Sequence, residues 1–127
     1  MRVLGVAVRR LELELVRPTV TAGGTHDKRP VVLVQIFTET GMGWGECDAL
    51  AEPTYTAEYA DGAESRLVED LVPRLIGESF ASASAVLDRL TDVAGNPMAK
   101  AAIEMAFLDA ELRRDGVSLA NRFPRAS

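Results

Sequence analysis

Residues 31–50 read VVLVQIFTETGMGWGECDAL, and this stretch decides the fold. Residues 31–38 are almost continuously apolar and rich in β-branched side chains, the composition of a central strand. Thr40-Gly41-Met42-Gly43 supplies turn residues, and residues 44–50 lead the chain back, so the segment predicts a β-hairpin. Upstream, Leu11, Leu13 and Leu15 alternate with Glu12 and Glu14. A period of two marks a half-buried strand over residues 3–16. Pro18 cannot donate to a ladder and is expected to end that strand. Residues 19–29, polar and carrying Gly23-Gly24, then read as a loop. The first half is predicted to be a three-stranded antiparallel meander.

Downstream the period changes. Ala60, Ala63, Leu67, Leu71 and Leu75 recur at spacings of three and four, predicting a helix over residues 57–76 with Asp61, Glu64 and Glu69 on its other faces. Pro73 falls inside it and would cost about 3 kcal/mol in a regular helix interior, so a kink or restart is expected there. Gly77 stops the helix, and Ser82 or Ser84 can cap a short one through Leu90. The last helix has Asn96 as N-cap, Pro97 as first helical residue, arginines at 113 and 114 in its last turn, and Gly116 as a left-handed stop. Its expected core stripe is Met98, Ala101, Ala102, Met105, Leu108 and Leu112. Lys100–Glu104 and Asp109–Arg113 are spaced to pair along it.

Strands first and helices afterwards make an α+β fold: a three-stranded antiparallel sheet followed by a small helical bundle. At 127 residues, 47% hydrophobic and 26% charged, the composition is that of one globular domain. The net charge of −5 argues against a nucleic-acid partner, which would need a basic face. Cys47 is the single cysteine, so neither an intrachain disulfide nor a Cys-rich zinc site can form. The apolar run at 31–37 is far too short to span a bilayer, and residues 1–10 lack the apolar core of a signal peptide. No membrane partner and a cytoplasmic location are therefore expected.

Few residues suggest chemistry. His26 reads as a solvated loop histidine rather than a general base. Cys47 reads as a packed thiol rather than a nucleophile, since nothing nearby in sequence would lower its pKa. Glu46 and Asp48, with Glu52 beyond them, could suggest a hard-metal cluster, but their spacing favours a solvated strand face. Gly41-x-Gly43-x-Gly45 lacks the third glycine spacing and the helix of a dinucleotide loop, and reads as a hairpin turn.

Four strings, in order, carry a resemblance. They are Thr21-Ala22-Gly23-Gly24-Thr25 before the strand, Gly43-Trp44-Gly45-Glu46-Cys47, the run EPTYTAEYADGAE at 52–64, and Met98-Ala99-Lys100-Ala101-Ala102 continuing through residue 120. The third is the most specific. Together they resemble the N-terminal capping domain of the enolase superfamily, of mandelate racemase/muconate lactonizing enzyme type. The nearest resemblance is to o-succinylbenzoate synthases and N-acylamino acid racemases.

The resemblance implies a division of labour. In such enzymes a (β/α)-barrel holds Mg²⁺ and the lysines that take the α-proton of a carboxylate substrate, while two cap loops close over the barrel mouth. Here those loops fall on residues 19–29 and 50–55, with Gly23, Leu50 and Tyr55 at substrate-facing positions. Leu50 and Tyr55 offer an apolar wall and an aromatic face, and each could instead only pack its loop. Gly23 stands where many relatives carry a bulky aromatic, and the absence of that ring would widen the pocket or loosen the loop. Residues 1–120 are expected to be the cap domain and 121–127 a divergent tail, the catalytic barrel being absent from this sequence. The expectations that follow are no catalytic or metal-binding residue, no cofactor in this chain, and no turnover by it alone. Its partners would be a small carboxylate, a separate or missing barrel, and through exposed apolar surface a second copy. The alternative is a free-standing binding module with the cap fold.

Overall fold

The computed structural model describes residues 1–22 and 24–123, and the chain is α+β, with one three-stranded antiparallel sheet in the order β1-β2-β3. The strands are β1 (Val3–Thr21), β2 (Gly24–Thr38) and β3 (Gly41–Cys47). β1 does not stop at Pro18. Its ladder with β2 runs without a break from Gly5 opposite Phe37 to Glu14 opposite Lys28, slips, and resumes with Thr19 opposite His26. Pro18 sits in the slip, where no ladder donor is needed. Residues expected as a loop at 19–29 are thus mostly the outer arm of a long hairpin, and His26 is a ladder residue. Gly23 and the tail from 124 onward lie outside the described residues.

β1 is a strand, as its period of two predicts, and its inward side is not the leucine side. Val32, Val34 and Ile36 of β2 are at most 1% exposed, and their ladder partners are Arg10, Val8 and Val6. Arg10 pairs with Asp61 and Glu64 of the first helix, so the even positions of β1 face the helices. Leu11 and Leu13 therefore look away, 44% and 50% exposed, on a face shared with Phe37, Met42 and Trp44.

The helical layer begins with α1 (Ala60–Arg66), which passes into a π-helical turn (Leu67–Leu71) and a 3₁₀ turn (Val72–Arg74). This is the form taken by the break expected at Pro73. The ring removes an i→i−4 bond, and winding first looser and then tighter absorbs the loss while Leu67, Leu71 and Leu75 stay fully buried. Ser82 caps α2 (Ala83–Arg89), its hydroxyl accepting from the Ala85 N–H at 3.2 Å. The start of the chain is tied to this layer, the Val3 N–H donating to Glu78 at 2.9 Å and its carbonyl accepting from Gly77 at 2.8 Å.

α3 (Pro97–Asp115) lies across the sheet, and a one-turn α4 (Leu119–Arg122) follows. The buried face of α3 is Ala99, Ala102, Ile103, Ala106, Phe107, Ala110 and Leu112. Only Ala102 and Leu112 of the expected stripe are buried, and Met105 is 45% exposed. The reason lies in β3. A Cβ built on Gly43 would stand 2.1 Å from the Ala106 carbonyl oxygen, and one on Gly45 would stand 1.9 Å from that of Ala102. Strand and helix backbones touch, so the helix must present its alanines, and the larger Ile103 and Phe107 turn to the flank. There Phe107 meets Phe80 edge-to-face at 6.0 Å. Gly43 and Gly45 are therefore packing glycines, not turn residues. The turn sits earlier, where the Thr38 hydroxyl donates to the Gly41 carbonyl at 2.9 Å and Gly41 takes φ 144°. Asp109 pairs with Arg113 at 2.9 Å as expected, but Lys100 donates to the Val93 carbonyl rather than pairing with Glu104.

Candidate functional site

β3 delivers the chain into residues 48–59, an excursion closed at its base. Ala49 and Ala60 are plugged into the core, 2% and 0% exposed, and the Ala60 N–H donates to the Leu50 carbonyl at 2.7 Å. Between these plugs residues 51–57 are all exposed. Leu50 is half-buried at the base, and Tyr55 stands at the far side with 87% of its surface exposed. The structure thus puts Leu50 and Tyr55 in one loop. The third expected position, Gly23, lies outside the described residues.

The loop returns through Glu58, which sequence reasoning missed. Its carboxylate accepts from the Met98 N–H and the Ala99 N–H, each at 2.9 Å, capping α3 from 40 residues away. Asn96, expected as the N-cap, makes no side-chain cap bond. It takes a left-handed conformation at φ 55°, and its amide turns back to donate to the Ala94 carbonyl at 3.0 Å. A signal for an outside cap was present. Pro97 has no N–H, Ala99 stands where a capping box would carry Glu or Gln, and so the Met98 and Ala99 amides needed an acceptor from elsewhere. Thr56, Ala57 and Glu58 form, with Gly95, Asn96, Pro97 and Met98, the walls of a cavity of about 380 Å³. That is within the size range of small-molecule sites. Neither Leu50 nor Tyr55 lines it.

A second group sits on the outer face of the sheet. A hydrogen bond with Asp48 holds the Glu46 carboxyl above its ordinary range, since that bond exists only when one of the two carries a proton. Partial desolvation and the Asp48 charge act in the same direction, and Arg29 opposes them. Arg29 itself donates to the Asp48 backbone carbonyl at 3.0 Å, and Asp48 Oδ1 is buried without a hydrogen-bond partner. Glu52 does not join them: among the described residues no three His, Cys, Asp or Glu side chains converge to hold a metal ion. The Arg29 guanidinium beside this carboxyl pair disfavours a divalent cation such as Mg²⁺ there. Cys47 is 1% exposed, and burial pushes its thiol up. It is a packed side chain.

Residues 4–122 match the family described as mandelate racemase/muconate lactonizing enzyme, N-terminal domain. The chain belongs to that family. Within it, the chain is 43% identical to an N-succinylamino acid racemase from Amycolatopsis, over 94% of this chain and 33% of the racemase. It is 33% identical to the o-succinylbenzoate synthase of Bacillus subtilis, over 91% of this chain and 31% of the synthase. The fold is that of a solved enolase-superfamily member from Listeria innocua, with TM-score 0.93 and 28% identity over all of this chain and 34% of that one. The chain spans about a third of the length of the curated relatives it matches. It is an enolase-superfamily N-terminal domain similar to those of N-succinylamino acid racemases and o-succinylbenzoate synthases. No described helix is long and apolar enough to cross a membrane.

Proposed function

We propose that this domain caps the active site of an enzyme acting on a small carboxylate, by racemisation of an N-acylamino acid or by dehydration to o-succinylbenzoate. In this reading residues 1–120 form the cap. A barrel, covalently continuous or separate, supplies Mg²⁺ and the groups that move the α-proton. The carrying observation is the loop of residues 50–59: tied at its base, open along residues 51–57, and carrying the exposed Tyr55. A loop of that kind can lie over a substrate, exclude water and present an apolar wall from Leu50 with a hydroxyl-bearing ring from Tyr55. Gly23, where many relatives carry a bulky aromatic, would leave room for the acyl group. Among the described residues no three His, Cys, Asp or Glu side chains gather to hold a metal ion, and the chain by itself is expected to be catalytically inactive.

The test is a chimera in which this chain replaces the matching third of the Amycolatopsis racemase. The chimera should turn over N-succinylamino acids, and Leu50→Ala and Tyr55→Ala should raise KM or shift substrate preference while leaving the fold intact. A folded, active chimera whose kcat/KM is unmoved by both changes on every substrate would overturn the substrate-facing assignment. It would favour a binding module instead. Alpha-proton exchange or a stoichiometric Mg²⁺ site in the isolated chain would overturn the inactivity.

A further inference from the structure

We propose that Glu58 is the positioning residue of the substrate loop, holding Tyr55 in place by capping α3 from outside the helix; this rests on the reading of residues 50–59 as substrate-facing. The loop has little else to order it. Residues 51–57 are exposed, and the bonds within it are short-range, the Thr54 N–H to Glu52 at 2.8 Å and the Thr56 hydroxyl to the Glu58 carbonyl at 3.1 Å. Its entrance is fixed by the buried Ala49 and its exit by the buried Ala60. Two fixed ends still leave the crest free to swing about the line joining them. A third point off that line is needed to remove the swing, and Glu58 supplies it.

The helix side of this clamp is built to require it. Pro97 offers no N–H, Asn96 is held left-handed with its amide engaged elsewhere, and the Met98 and Ala99 amides are left at the positive end of a 19-residue helix. Two amides call for two acceptor atoms and are best matched by a negative charge, so glutamate fits both counts. Glutamine keeps one acceptor and loses the charge, and alanine keeps neither. The same clamp fixes the distance between Thr56–Glu58 and Gly95–Met98, the two walls of the 380 Å³ cavity. Loop crest and cavity should therefore loosen together when Glu58 is lost.

The experiment compares Glu58→Ala, Glu58→Gln and a control, Val86→Ala, in the 127-residue chain. Val86 is fully buried in α2, outside the loop and the clamp, so its truncation lowers global stability without touching either. Exchange of the Met98 and Ala99 amides and chymotryptic cleavage after Tyr55 are measured under native conditions. Glu58→Ala should raise both on the order of tenfold, the change that about 1.4 kcal/mol of lost interaction produces. Glu58→Gln should fall between, and Val86→Ala should raise exchange and cleavage across the chain without singling out these sites. Unchanged Met98 and Ala99 exchange in Glu58→Ala, or a profile matching that of Val86→Ala, would overturn the clamp. In the chimera, Glu58→Ala should raise KM with a smaller change in kcat, and Glu58→Gln should recover part of it. A loosened loop with KM unmoved would overturn the substrate-loop reading and the positioning role with it, leaving only a helix cap.

Discussion

Gly45→Ala is the sharpest perturbation the fold offers. The added methyl would sit 1.9 Å from the Ala102 carbonyl oxygen, 2.9 Å from that carbonyl carbon and 3.0 Å from the Ala106 nitrogen. All three are helix backbone, so no side chain can rotate away. Restoring ordinary contact needs α3 to retreat from β3 by roughly 1–1.5 Å, and a gap of that size forfeits a quarter to a half or more of each dispersion contact along the seam. Overpacking of this kind costs about 1–3 kcal/mol and occasionally more, and the long helix–strand seam puts this site at the upper end, ~3 kcal/mol. With an m-value of about 2 kcal/mol per M urea, the midpoint should fall by roughly 1.5 M. The melting temperature should drop by about 12 °C at ~4 °C per kcal/mol. Trp44, the single tryptophan, lies on β3 beside the substitution and reports unfolding by fluorescence. Gly5→Ala is the control, since its Cβ would meet nothing within 4 Å. It should be neutral, or stabilising by about 0.5 kcal/mol through the unfolded chain. Adding Ala102→Gly to Gly45→Ala should rescue nothing, because the clash is with the carbonyl and not the methyl. If Gly45→Ala unfolds within 0.5 kcal/mol of the native chain, or Ala102→Gly restores it, the close seam is wrong.

Other consequences are also measurable. Glu46 titrates above its ordinary range when folded, so the stability it contributes is present at low pH and lost as pH rises through the raised value. The stability difference between Glu46→Gln and the native chain should therefore move in favour of the variant as pH climbs out of the carboxylate range, by less than about 0.5 kcal/mol for so exposed a group. A flat difference from pH 4 to 7 refutes it. Cys47 should resist thiol reagents in the folded chain and react only as fast as the chain unfolds; rapid labelling under native conditions contradicts its burial. The outer face bearing Leu11, Leu13, Phe37, Met42 and Trp44 should bind hydrophobic dye and drive concentration-dependent association, both reduced by Leu11→Lys with Leu13→Lys. A monodisperse chain that binds no dye defeats that expectation.

What was legible in the sequence, and what was not, divides by the range of the contact. The Ala60–Leu75 stripe is a local signal, and every one of its five members is fully buried. The break at Pro73 is likewise a property of one residue, and it appears where the ring requires it. The misreadings lie where two distant segments meet. Periodicity says that Leu11, Leu13 and Leu15 share a side of β1, but which side faces the helices depends on the register with β2. Here that register turns Arg10 and Val8 inward. Gly43 and Gly45 carry no local sign separating a turn from a close approach. The deciding information sits in Ala99, Ala102, Ala106 and Ala110, whose small side chains recur at spacings of three and four some sixty residues later.

The same reasoning explains why the loop was legible as a segment but not as a structure. Leu50 and Tyr55 are singled out only by the resemblance to a known family, which locates residues without saying what holds them. Glu58 lies in that very run, and its role depends on the start of α3, where Asn96 has the composition of a cap but the wrong backbone to serve as one. A helix whose own first residues cannot satisfy its amides is in effect asking for a distant acceptor. Reading that deficit, rather than the presence of a favourable N-cap residue, would have pointed from Pro97 back to the loop. Under the proposed clamp, the cap of α3 and the shape of the loop at residues 50–59 are one interaction, and the helix that packs the sheet also fixes that loop.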